Sequence, residues 1–142
     1  MNMTMEEKNV VIEHRLKTAG ETLVEAKDLI RLNHWRGAAN RLYYACFYAA
    51  NALLLKHGHV ARTHGGVTGL LGKHFVTTGI IGNEHNKLYK KLYDLRQGGD
   101  YNDWAEIGEE NVKPLLELAE NFIAEIEKLL KICDCPQRPN MV

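Results

Sequence analysis

Two groups of residues in this 142-residue chain are of the right type and spacing to handle a phosphate. Arg41, Tyr44 and Tyr48 stand at i, i+3 and i+7, which on a helix puts all three within roughly 60° of one another around the axis. Arg96-Gln97-Gly98-Gly99-Asp100-Tyr101 forms the other group. There the paired glycines release the backbone for a sharp turn, so that Arg96, Asp100 and Tyr101 are expected to face one pocket. Arginine carries a rigid fork of donors that matches a phosphate, and an aromatic ring beside it stacks on a base. Each group also has a plainer reading. Arg41 can pair with an acid on a neighbouring helix while the tyrosines pack at the rim, and Arg96 with Asp100 can be an ion pair that staples a loop.

Histidines offer the second kind of chemistry. His57, His59 and His64 fall close together in a stretch rich in glycine, where they could bind a divalent metal or move a proton. No pair of histidines has the helical spacing of a metal site, so packed or solvated imidazoles are the default expectation. Of the three cysteines, Cys46 lies in a strongly apolar segment, and Cys133 and Cys135 lie in the closing CDCPQRPNMV. An odd count without a framework spacing indicates reduced thiols, and the Cys-x-Cys pair lacks a second ligand pair for zinc. We therefore expect neither metal nor cofactor.

The elements that must hold these residues are all helical. Ile12, Leu16, Ala19, Leu23, Ala26 and Ile30 recur three or four residues apart, which predicts an amphipathic helix over about 8–32. After Asn33 and His34 a second helix is expected from Trp35 to His57, closed by Gly58 in the left-handed conformation. It is apolar nearly all round, so it must be covered on two sides, either at the centre of a bundle or between the core and a second subunit. A loop over 58–66 leads to a short helix that buries Val67, Leu70, Leu71 and Phe75 and stops at Gly79. Asn83 is the expected N-cap of a fourth helix, carrying Leu88, Leu92 and Leu95, with Gly98 and Gly99 as its end. A fifth runs from Glu109 to Lys131 with Pro114 near its first turn. The prediction is an all-α, antiparallel up-and-down bundle of four to five helices in one domain, residues 1–132. Polar residues Met1 to Asn9 are read as a frayed terminus and residues 133–142 as a disordered tail.

Composition narrows the partners. Eighteen basic and eighteen acidic side chains give no net charge, so any RNA binding must come from a local patch. A mean hydropathy of −0.33, with no apolar run near the ~18 residues of a membrane span and no secretory leader at the start, leads us to expect a cytoplasmic protein without membrane contact.

Together the residues bring a family into view. The run Arg41-Leu42-Tyr43-Tyr44-Ala45-Cys46-Phe47-Tyr48-Ala49-Ala50-Asn51-Ala52, then His64, then Phe75-Val76-x-x-Gly79, then Arg96-x-x-x-Asp100-Tyr101 resembles the HEPN domains (higher eukaryotes and prokaryotes nucleotide-binding), over about residues 8–131. The resemblance implies a helical bundle, usually a homodimer, often encoded beside a minimal nucleotidyltransferase as its toxin or substrate-binding partner. It also implies a site in the dimer cleft where Arg96, Asp100 and Tyr101, with Arg41, Tyr44, Tyr48 and His64, bind a nucleotide or RNA. Many HEPN proteins resemble metal-independent RNases that pair an arginine with a histidine a few residues on. The arginine holds the scissile phosphate and the histidine takes the proton of the attacking 2′-hydroxyl. Here Tyr101 stands where that histidine would be. A phenol with an ordinary pKa near 10 is a poor base at neutral pH, so an RNase reading needs Arg96 with Tyr101, or with His64 brought in from the preceding segment. A dimer with a purely structural polar cluster is the third alternative, and nucleotidyl transfer onto Tyr101 by the partner is a further implication of the resemblance.

Overall fold

The computed structural model describes residues 3–101 and 106–134, with backbone alone for 99–101 and 132–134. Five α-helices make up this part: α1 (Met5–Arg31), α2 (Trp35–Lys56), α3 (His64–Leu71), α4 (Asn83–Tyr101) and α5 (Glu109–Asp134). A π-helical turn, Gly72–Val76, extends α3. Among the described residues there is no strand, and no helix is long and apolar enough to cross a membrane.

The chain reverses where its backbone chemistry allows. Asn33 (φ 62°), Gly58 (φ 83°) and Gly79 (φ 79°) are the left-handed residues, and each sits inside the same pair of closing bonds. His34 N–H donates to Leu29 O and Asn33 N–H to Ile30 O; His59 N–H donates to Leu54 O and Gly58 N–H to Leu55 O; Ile80 N–H donates to Phe75 O and Gly79 N–H to Val76 O. These bonds satisfy carbonyls that a helix end would otherwise leave open, and they fix the direction of the next segment.

Packing settles what surrounds α2. It touches α1, α3, α4 and α5, so the all-round apolarity of its sequence reflects a place at the centre of the chain's own bundle and does not by itself require a second subunit. Ala19 and Ala26 of α1 and Ala38, Ala45, Ala49 and Ala52 of α2 are fully buried. Side chains that small let two helix backbones approach closely. Leu42, Leu53, Leu54, Leu92, Phe122 and Ile126 complete the core, each contributing roughly 1.5–3 kcal/mol on burial.

Three expectations need correction. The N-terminal residues are not frayed from Met3 onward: Thr4 Oγ1 accepts from Glu7 N–H (3.0 Å) and Glu7 Oε1 accepts from Thr4 N–H (2.9 Å), a reciprocal cap that starts α1 at Met5. His64 does not lie in a loop. Thr63 Oγ1 accepts from Gly66 N–H (2.9 Å), so α3 begins at His64 itself. Gly98 and Gly99 do not end α4, which continues to Tyr101. Glycine disfavours a helix by about 1 kcal/mol relative to alanine, a bias that the buried Leu88 and Leu92 just upstream override. Smaller shifts occur elsewhere. Asn83 is the first residue of α4, not its cap, and α5 runs on through Cys133 to Asp134, with Pro114 in its second turn. Cys135 lies outside the described residues.

Candidate functional site

The centre of the site is a buried cation. Arg96, on α4, is 7% exposed, and its guanidinium carbon lies 5.1 Å from the Tyr43 ring centre, 5.4 Å from that of Tyr44 and 5.8 Å from that of Tyr93. Nη1 donates to the Tyr44 hydroxyl at 3.2 Å. A guanidinium is weakly hydrated and planar, so ring faces replace much of the water it gives up.

A histidine shares the same rings. His64, at the first position of α3, lies 5.1 Å from the Tyr43 ring, 4.8 Å from Tyr93 and 5.5 Å from Phe47. Its Nδ1 is hydrogen-bonded to the Tyr43 hydroxyl, which in turn meets the Tyr89 hydroxyl at 3.0 Å. Tyr43 and Tyr89 are fully buried, and burial pushes the Tyr89 hydroxyl well above its ordinary pKa, so it stays protonated. Burial, and then the nearby Arg96 charge, hold His64 below its ordinary 6.5. The imidazole is thus neutral at pH 7. In the tautomer whose Nδ1–H donates to the Tyr43 hydroxyl, Nε2 keeps its lone pair and can accept a proton.

Arg41 takes the plainer of its two expected roles. Nη1 lies 3.4 Å from Glu25 Oε1 on α1, while Nε and Nη2 donate to Asn40 Oδ1 at 3.0 and 2.7 Å. It still stands over the outer edge of the cluster, 5.4 Å from the Tyr44 ring centre. Tyr48 packs at 6.2 Å from Tyr44 and 5.8 Å from Phe47. Thus Arg41, Tyr44, Tyr48, His64 and Arg96, all proposed from sequence, converge on one face. The side chains of Asp100 and Tyr101 lie outside the described residues.

His57 and His59 belong elsewhere, at the far end of α2. His57 packs edge-on against Phe75 (5.0 Å) and His59 stacks on His74 (4.1 Å). Among the described residues no three His, Cys, Asp or Glu groups take an arrangement that could hold a metal.

Sequence reasoning did not place Tyr43, Tyr89 and Tyr93 in the site. A signal was present: a tyrosine in the middle of a buried stripe must find a partner for its hydroxyl, and Tyr43 finds His64. It also missed a groove of about 410 Å³ that opens beside His64 between α3 and α4, lined by Gly65, Thr68, Gly69, Lys90, Tyr93 and Asp94.

Comparison with known proteins agrees with this picture. The model of the HEPN domain family matches residues 12–129. A UPF0332 protein of Thermotoga maritima is 40% identical over 127 residues, 89% of this chain and 96% of that protein. A Methanocaldococcus jannaschii protein named "Putative toxin MJ0605" is 35% identical over 120 residues, 84% of this chain and 89% of its own. Among solved structures, that of TT1696 from Thermus thermophilus superposes with a TM-score of 0.70 at 20% identity, over 82% of this chain and 96% of that one, which is a likeness of fold.

Proposed function

Since the chain belongs to the HEPN domain family, we propose that it works as a homodimeric, toxin-like module that binds a nucleotide or RNA phosphate, as the partner of a minimal nucleotidyltransferase. The observation that carries this reading is the convergence of Arg96 and His64 on the rings of Tyr43 and Tyr93. A fixed positive charge shares these rings with a neutral imidazole that lines an open groove, and in a medium poorer in water than bulk such a charge acts more strongly on an anion. Relatives named as toxins support the same class. Tyr44 meets Arg96 directly, with Arg41 and Tyr48 packed beside Tyr44, and Asp100 and Tyr101 follow Arg96 on the same helix.

The test is binding by the purified chain. A labelled single-stranded RNA and 5′-mononucleotides are titrated in low salt, and the mass in solution is measured by light scattering. We expect a dimer whose RNA affinity falls at least tenfold in Arg96→Ala. A monomer, or affinity unchanged by that substitution, would sink the proposal. Co-purification after co-expression with a minimal nucleotidyltransferase, should the neighbouring reading frame encode one, tests the partner, and an unshifted mass after that co-expression counts against modification of Tyr101.

One observation favours a second reading, metal-independent endoribonuclease activity. In this reading His64, held by Tyr43 and kept neutral beside Arg96, serves as the base in place of Tyr101. It accepts the 2′-hydroxyl proton at Nε2 while the Arg96 charge stabilises the phosphorane. Cleavage in EDTA that His64→Ala abolishes is the expected result; RNA left intact by the wild-type dimer removes the reading.

A further inference from the structure

The groove between α3 and α4 calls for an explanation of its glycines. Gly65 and Gly69 stand one helical turn apart on α3, and both line the groove. Neither has a left-handed backbone, and a Cβ built on either would meet nothing within 4 Å. No packing or turn geometry therefore requires glycine, and helix propensity favours alanine at both positions. What their hydrogens do is leave the helix backbone uncovered towards the groove, so that another molecule can lie close against it.

The rest of the lining has the chemistry of a nucleotide. Lys90 supplies an ammonium, and among the described residues neither Lys90 nor Asp94 takes part in an ion pair. The Tyr93 ring, half-buried, flanks the groove with His64. Asp94 is exposed and accepts hydrogen bonds only, which suits a ribose hydroxyl or an exocyclic amine. The volume of about 410 Å³ falls in the range of small-molecule sites, ~300–1,000 Å³, and is far too small for a duplex. Two further cavities, about 290 and 430 Å³, open on the α4–α5 seam and are lined by no aromatic side chain apart from the imidazole of His85.

We infer that this groove is a nucleoside subsite. It seats the base and ribose of one nucleotide against Tyr93 and the bare backbone at Gly65 and Gly69, with the phosphate between Lys90 and His64. This rests on the nucleotide or RNA reading above and adds to it where the nucleoside lies, and which residues set its size.

The experiment is a titration of the purified full-length chain with AMP, and separately with inorganic phosphate, followed by ¹⁵N amide spectra and repeated for Gly69→Leu and Lys90→Ala. The expected result is saturable movement of the Gly65 and Gly69 amide signals with AMP but not with phosphate alone. AMP affinity should fall at least tenfold in both variants. Unfolding midpoints without ligand distinguish filling the groove from misfolding: leucine favours a helix over glycine, so Gly69→Leu should melt at or above the wild-type temperature. If AMP binds with those two signals unmoved and with affinity untouched by Gly69→Leu, the groove assignment fails while the binding function stands. If phosphate alone reproduces the shifts, the site takes an anion and no nucleoside. If neither AMP nor RNA binds the wild-type chain, the functional reading falls as well.

Discussion

Replacing Arg96 with alanine tests the site and the packing together. The side chain gives up three ring contacts at 5.1, 5.4 and 5.8 Å and a hydrogen bond of 3.2 Å to Tyr44. Cation–π contacts contribute about 0.5–1 kcal/mol each at exposed sites and up to about 2 when desolvated, and a bond from an ionised donor about 1.5 kcal/mol or more. These terms overlap, so a loss of about 3 kcal/mol is a fair sum. For a domain of this size, 1 kcal/mol moves the melting temperature by roughly 2–4 °C, so Arg96→Ala should melt about 10 °C lower by calorimetry. Arg96→Met, which keeps most of the volume, should recover part of that. The same substitution has a second, sharper readout. Arg96 is one of the two causes that hold His64 below 6.5, so removing it must move the His64 titration upward, as followed by its ring-proton shifts in NMR. A melting temperature within about 2 °C of wild type, or a His64 pKa that stays put or falls, would show that the two groups do not share a pocket.

Three more changes probe the frame. Gly20 sits in the middle of α1 with open space where a Cβ would be, so Gly20→Ala should raise stability by about 0.5–1 kcal/mol in urea titrations; a loss would mean that a neighbour claims that space. Thr4→Ala removes the Oγ1 that accepts from Glu7 N–H and keeps only the backbone N–H that donates to Glu7 Oε1, and it should lower stability by about 1 kcal/mol, with faster amide exchange confined to the first turn. His57, His64 and His74 are all held below 6.5 in the folded chain: His57 and His64 first by burial and then by neighbouring charge, His74 by loss of solvation and by His59 and Lys73. The unfolded chain therefore takes up these protons first, so the stabilising contribution is whole above about 6.5 and is lost as pH falls through the lowered folded-state values. Melting temperatures should be level from about pH 8 to 7 and decline below about 6.5, with a shallower decline in His57→Gln; a rise towards about pH 5 would contradict the burial of these rings.

The fold was legible wherever one face of a helix is apolar. Helices α1, α2 and α5 follow from periodicity, and the left-handed end of α2 at Gly58 follows from residue type; at Asn33 and Gly79 only the breaks were expected, and their left-handed backbone is a finding of the structure. Errors came where local preference met context. Thr4 and Glu7 carry the spacing of a capping box, yet the polar stretch around them hid it. Gly98 and Gly99 have the composition of a stop, but a helix already anchored by buried leucines continues through them. The candidate cluster was half legible. Arg96, Tyr44 and His64 were singled out from type and resemblance, but their meeting depends on α3 beginning at His64 and packing on α2 and α4, a nonlocal fact. The groove was invisible for the same reason, since its walls come from separate helices, far apart in sequence.

The central place of α2 also decides how the molecule breathes. Every other helix rests on it, so its amides can meet deuterium only when the whole bundle comes apart, whereas the glycine-bearing turns of α3 need only a local opening. The slowest-exchanging hydrogens should thus lie along Ala45 to Leu54, directly beneath the aromatic cluster. A ligand clamping α3 should slow exchange in its outer turns without altering that inner set.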